Sequence, residues 1–217
     1  MTYRADLGVQ VRQVGSNGSW CIPDRTASPG KDQLQGIIAD DPDWVPGVTE
    51  DAWAVGEFTT SAGLVDLCIV SPDGSLTLVV CKLGTNPKRG RHVIGQVLDY
   101  TSAIKHDGEQ AFREQWVKQG GDDLDTLQED GREQLARNIA EGRIHLCLVV
   151  HQIDADLRRM VDYLKLISFD DVQITALQLA YAQHGELEIL NPSTYGAATA
   201  RDALSRSSRA RPRRGPV

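Results

Sequence analysis

This chain of 217 residues is short of several things, and each shortage excludes something. No apolar run approaches the roughly 20 residues that a membrane-spanning helix needs. The start, Met1-Thr-Tyr-Arg-Ala-Asp-Leu7, lacks the apolar stretch of a secretory leader. Together these absences predict a cytoplasmic protein with no membrane partner. Cysteine is confined to Cys21, Cys68, Cys81 and Cys147. None of them forms a C-x-x-C pair, and no histidine stands at zinc-ligand spacing from them, which argues against a structural zinc. Cys68 and Cys147 fall inside apolar runs and read as buried, reduced thiols. There is no internal repeat, and hence no solenoid.

What is present is ordinary globular composition, 41% hydrophobic and 24% charged, in a length that suits one domain with a sizeable core. The net charge of −7 is unevenly spread. Residues 201–217 hold six arginines against one acid, a net +5, so the other 200 residues carry −12. An acidic body argues against a broad nucleic-acid-binding surface while leaving room for a local basic groove. The Ala/Ser/Arg/Pro composition of 193–217 predicts a disordered tail, and residues 1–29 read as an N-terminal segment with one short strand, Val9 to Val14.

The rest predicts an α/β fold, a mixed central sheet flanked by helices. Pro29-Gly30 opens a helix over 31–39, with Leu34, Ile37 and Ile38 on one face. A Pro-rich loop follows over 41–49, then a strand from Trp53 to Thr60 that contains Glu57. Gly63-Leu-Val-Asp-Leu-Cys-Ile-Val70 and Leu76-Thr-Leu-Val-Val-Cys-Lys82 are almost wholly apolar, the pattern of central strands buried on both faces. Pro72-Asp-Gly74 between them is hairpin-turn chemistry. A basic cluster, Lys88-Arg89-Gly90-Arg91-His92, leads into a helix over 93–104. Residues 107–142 read as a helical insertion, with Phe112 near Trp116 and Leu135 near Ile139. Strand 143–150, helix 154–167 and strands 172–181 and 186–190 complete the order.

One acid, Asp66, stands in the first hairpin strand, and one lysine, Lys82, ends the second. Burying a carboxylate is costly without a partner, so Asp66 asks for a cation, a metal or a lysine. The pair resembles the metal site of the PD-(D/E)xK nuclease superfamily. In that pattern an acid and a lysine at alternate positions of one strand point to the same face. Gln96-Val-Leu-Asp-Tyr100 is similar to the Q-x-x-x-Y element that follows the active-site strands in RecB-like members. Leu83-Gly-Thr-Asn-Pro-Lys88, the strand Leu148-Val-Val150 and the segment Asp156 to Leu164 look like the same group. The resemblance covers roughly residues 30–192 and implies a restriction-endonuclease-like core.

The chain departs from the pattern at one place. Counting back two from Lys82 puts Val80 where the strand acid belongs, with Cys81 between; a one-residue slip would put Cys81 there instead. Neither is a carboxylate, and a thiolate suits Zn or Cu(I) rather than Mg²⁺. What the resemblance implies is Mg²⁺- or Mn²⁺-dependent hydrolysis of DNA or RNA, in repair or in defence against foreign DNA, by a homodimer or a subunit of a larger complex. Mg²⁺ takes hard oxygen ligands, and Asp66, Asp32 and Glu57 are the carboxylates available for it. Lys82 would be the catalytic lysine, Gln96 and Tyr100 would support the site, Cys81 marks the altered position, and Lys88, Arg89 and Arg91 would contact phosphate. A degenerate site would hold metal weakly or not at all. The alternative is a non-catalytic subunit that keeps the fold to bind nucleic acid or to build an assembly.

Overall fold

The computed structural model describes residues 9–15, 18–23, 25–27, 30–82, 87–150 and 152–197, without the side chains of 25–27, 82 and 87–92. The arginine-rich tail from 198 onward lies outside the described residues, as do the side chains of Lys82, Lys88, Arg89 and Arg91.

Each element starts and stops for a local reason. Helix α1 (Lys31–Asp40) buries Leu34 and Ile38, one turn apart, and ends before Pro42. Proline has no N–H and disfavours helical backbone in the residue before it. Strands β2 (Trp53–Thr60), β3 (Gly63–Val70) and β4 (Leu76–Lys82) follow. The β3–β4 turn is closed by Asp73, whose carboxylate accepts from the Ser75 N–H at 2.9 Å. Helix α2 (Pro87–Lys118) is broken at Gly108, whose φ of 84° lies outside the helical region. Helix α3 (Glu129–Glu141) and strand β5 (His145–Val150) come next. Asp154 then caps helix α4 (Ala155–Ile167) by accepting from the Leu157 N–H. The chain ends in the hairpin β6 (Ile174–His184) and β7 (Leu187–Tyr195).

With a short strand β1 (Arg25–Ala27), these form one seven-stranded sheet in the order β1-β6-β5-β4-β3-β2, with β7 also paired to β6. β2, β3 and β4 are antiparallel neighbours, whereas β4, β5 and β6 run parallel. β1 occupies the edge of β6 beyond the reach of β5. The mixed α/β architecture expected from the sequence is therefore present. Among the described residues no helix is long and apolar enough to cross a membrane.

Each face of the sheet carries its own core. One is filled by α2, α3 and α4, with Val97, Trp116, Leu135, Ile139 and Val161 packed on Val65, Leu78 and Leu148. The other is filled by α1, with Leu34 and Ile38 on Leu67, Val79, Val149 and Leu177. Residues 107–142 therefore pack into the main core. Phe58, Phe112 and Trp116 meet there with ring centroids 5.2 to 6.3 Å apart. The expected strand at Val9–Val14 is reduced to a single bridge, Val11 with Cys21. Val9 and Val11 are only half-buried and Val14 is fully exposed, so the segment has little apolar surface to bury. The last two strands run longer than expected because β6 continues past Tyr181 by pairing with β7 and β1.

The β3–β4 turn is seated against α3 by two glycines. A Cβ on Gly131 would collide with the Pro72 carbonyl oxygen, and one on Gly74 (φ 80°) with the Gly131 carbonyl oxygen. Asn138 then donates from Nδ2 to the Gly74 carbonyl at 2.9 Å. Both obstacles are backbone, so Gly131→Ala should cost about 1–3 kcal/mol by overpacking. Gly95, in α2 with open space around it, should tolerate alanine and gain about 0.5–1 kcal/mol. Chemical denaturation of the two variants checks the contrast.

Candidate functional site

The site is built where three strands stop behaving regularly. In β2, Val55 and Phe58 face the α2–α4 core; in β3, Val65 faces that core but Leu67 faces the other. A regular strand would put residues two apart on one face. The change of face falls at Glu57 and Asp66, the one opposed pair missing between Gly56↔Leu67 and Phe58↔Val65. Glu57 has φ 50°, the one non-glycine with positive φ among the described residues. A left-handed backbone at such a residue costs on the order of 1–2 kcal/mol. Gln119 holds it there: its amide donates to the Glu57 carbonyl and accepts from the Thr59 N–H, both at 2.8 Å. That amide also occupies the free edge of the sheet, a position otherwise open to a foreign strand.

On the other side of Asp66 the sheet forks. The β3–β4 ladder runs from Val70↔Leu76 to Leu67↔Val79. β4 then continues through Val80, Cys81 and Lys82, paired only with Leu148, Val149 and Val150 of β5. One further step of the ladder would set Asp66 opposite Val80. Instead the Asp66 side chain turns into the fork, and Oδ2 accepts from the Cys81 N–H at 2.6 Å. The carboxylate thus replaces a strand carbonyl that β3 no longer supplies, so the buried N–H is not left unpaired.

The second carboxylate oxygen is also taken. Lys31 Nζ, at the first position of α1, lies 2.5 Å from Asp66 Oδ1; the two side chains are 48% and 12% exposed. One turn on, Gln35 Nε2 donates to the Asp66 backbone carbonyl at 3.3 Å. Lysine in a first turn sits against the positive end of the helix dipole, and Asp66 offsets that. The contact raises the Lys31 pKa, by its hydrogen bond to Asp66 first and despite partial burial.

The candidate residues disperse around this centre. Tyr100 is buried, with its ring facing Gly63 at the start of β3. Its hydroxyl is pushed above the ordinary value by burial and then by the charge of Asp66. Gln96 is half-buried one turn earlier on α2, and no hydrogen bond joins it to Asp66 among the described residues. Asp32 is exposed in the first turn of α1, where an acid suits the dipole. Glu57 is exposed on β2 and acts on Lys31 only through its charge. No three His, Cys, Asp or Glu side chains among the described residues are grouped to hold a metal. The Lys82 backbone pairs with Val150 in β4. Lys88, Arg89 and Arg91 fall in the opening turns of α2, next along the chain after this strand end.

Val80 and Cys81 point to opposite faces, Val80 into the α2–α4 core and Cys81 among Leu34, Cys147 and Val149. The Cys81 thiol is pushed up to about 12, by burial first and then by Asp66. It is neither a thiolate ligand nor a nucleophile. Sequence reasoning missed Lys31 and Gln35. Their spacing of four on a helix that packs on β3 was the available signal; Asp32, chosen for its charge, lies off that face. Mg²⁺ takes several hard oxygen ligands; the described residues offer no group of three ligating side chains, and a lysine ammonium stands where a cation would sit beside Asp66, so they do not fit one. No family model, curated protein or solved structure matches this chain.

Two outcomes follow. Asp66→Ala strands the Cys81 N–H and should cost about 1–3 kcal/mol. Asp66→Asn keeps an acceptor there and should lose only the half-exposed ion pair, under about 1 kcal/mol. Urea unfolding of both variants reads the order. In a thiol-labelling assay of the native protein, exposed Cys21 should react rapidly, and Cys68, Cys81 and Cys147 only after denaturation.

Proposed function

We propose that the chain is a PD-(D/E)xK-like domain that binds nucleic acid without cutting it, as a DNA- or RNA-binding subunit of a larger assembly. The element order supports a restriction-endonuclease-like core: α1, three antiparallel strands, α2, then a strand parallel to β4. The observation that carries the non-hydrolytic reading is Asp66. Both of its oxygens are committed, to Lys31 and to the Cys81 N–H, and its neighbour across the fork is an aliphatic valine. Metal-assisted hydrolysis requires an ion that orients water and offsets charge on the phosphate; the Lys31 ammonium stands in the cation position beside Asp66, and the described residues offer no group of three ligating side chains to compete for it.

Binding is the function that survives such a loss. The basic run Lys88-Arg89-Gly90-Arg91 opens α2 just after the strand end, where N–H groups and positive side chains favour phosphate. The excess of arginine in 201–217 adds salt-sensitive, sequence-independent attraction. The acidic remainder of the chain limits the contact to these basic places.

Fluorescence anisotropy with labelled duplex and single-stranded probes, beside plasmid nicking in Mg²⁺ and Mn²⁺, tests the reading. Binding should weaken steeply with salt and no nicking should occur. Reversing Lys88, Arg89 and Arg91 to Glu should cost about tenfold or more in affinity at moderate salt. Nicking that Asp66→Asn abolishes would overturn the non-hydrolytic reading. Failure to bind any probe would overturn the nucleic-acid reading.

A further inference from the structure

Lys31 does more at this site than pair a surface charge. Its ammonium touches Asp66 Oδ1 at 2.5 Å while the Cys81 N–H holds Oδ2 at 2.6 Å. The carboxylate is 12% exposed and sits in the gap between two strands. Glu57 also acts on Lys31 through its charge, and Tyr100 senses Asp66 and Lys31 with opposite sign. Among the described side chains, the Lys31 ammonium is the cation that touches Asp66. A helix N-terminus is an unfavourable place for lysine, so the placement must be repaid by Asp66.

We infer that Lys31 is a tethered counter-cation: it takes the place, and the structural share of the charge, that a divalent metal would take beside Asp66. The site is thereby held shut to metal ions. This deepens the proposed function by giving the cause of its non-hydrolytic state, yet it makes no use of nucleic acid. Three consequences differ from those of an ordinary surface ion pair. The wild-type protein should be indifferent to divalent ions. Removing the ammonium should leave a carboxylate in need of a partner. Replacing it with an acid should create a metal site from two carboxylates and neighbouring waters, a ligand set within the habits of Mn²⁺ and Mg²⁺.

The experiment uses the full-length chain, with Mn²⁺ alone as the probe, read by thermal unfolding and by electron paramagnetic resonance of the bound ion. Wild type should show no Mn²⁺-dependent change in Tm and no site-bound signal. Lys31→Glu should be less stable in chelator and regain about 3–6 °C with Mn²⁺ some tenfold above its dissociation constant. Lys31→Glu combined with Asp66→Asn should lose the response. A second cycle needs no metal: Lys31→Met and Asp66→Asn should each destabilise, and the double variant should recover part of the loss. The inference is overturned if wild type itself binds Mn²⁺ through Asp66, if Lys31→Glu shows no Mn²⁺ response while folded, or if the cycle shows no coupling. None of these readings depends on whether the protein binds nucleic acid, so that failure is separately visible.

Discussion

A carboxylate placed between two strands has to answer two demands at once, and the arrangement around Asp66 follows from how it does so. The β3–β4 ladder ends at Leu67↔Val79, which leaves the Cys81 N–H facing a gap inside the sheet. An unpaired buried N–H costs as much as a lost hydrogen bond. Asp66 fills the gap with one oxygen, and that choice obliges the chain to supply a cation for the other. The obligation then fixes α1: its first residue must reach the fork, and its fifth, Gln35, meets the Asp66 carbonyl. The distortion passes across to β2 as well. Glu57 opposite adopts a left-handed backbone that Gln119, just past the end of α2, holds by its carbonyl. The side chain itself ties β3 to β4 and α1.

Energetic weights divide these ties into two kinds. The ion pair is half-exposed on the lysine side and contributes at most about 1 kcal/mol. The hydrogen bond to Cys81 prevents an orphaned donor and is worth more, roughly 1–3 kcal/mol. Stability therefore rests mainly on the carboxylate as an acceptor, and the lysine adds a smaller, screened share. That separation lets the structural role of Asp66 outlast any catalytic one. An aspartate that holds a strand in register remains useful when the chemistry around it is gone, so its presence alone is weak evidence of hydrolysis.

Much of the fold was legible because its signals are local. Leu34 and Ile38 one turn apart, Pro72-Asp-Gly74 between two apolar runs, and Asp154 ahead of Leu157 each announce their element from neighbouring residues. Asp66 stood out as the single charge in a buried strand. What sequence could not reveal is long-range or symmetric. The switch of face at Asp66 is invisible as a pattern because β3 is apolar on both sides. β1 is three residues long and exists only by pairing with the far end of β6. Lys31 read as an ordinary helix start, because its partner lies 35 positions away and is brought to it only when α1 packs on Leu67 and Val79. Charge type points to Asp32 as a metal ligand, yet a helix puts adjacent residues about 100° apart, so the residue facing the fork is the lysine beside it.

The position across the fork completes the argument about chemistry. Val80 lies in the core under α2 with Val93 and Val97, 8% exposed. A carboxylate there would be nearly buried and would need a cation to remain charged. A second carboxylate there would add like-charge repulsion against Asp66 that a cation between them would relieve. Lysine at position 31 carries one positive charge, enough for one acid and not for two. Aliphatic character at Val80 and an ammonium from Lys31 are therefore consistent with each other in a way that neither is with a metal. Among the described side chains, Lys31 and Asp66 face each other across the fork one charge to one, and changing either alone would leave the other without that partner.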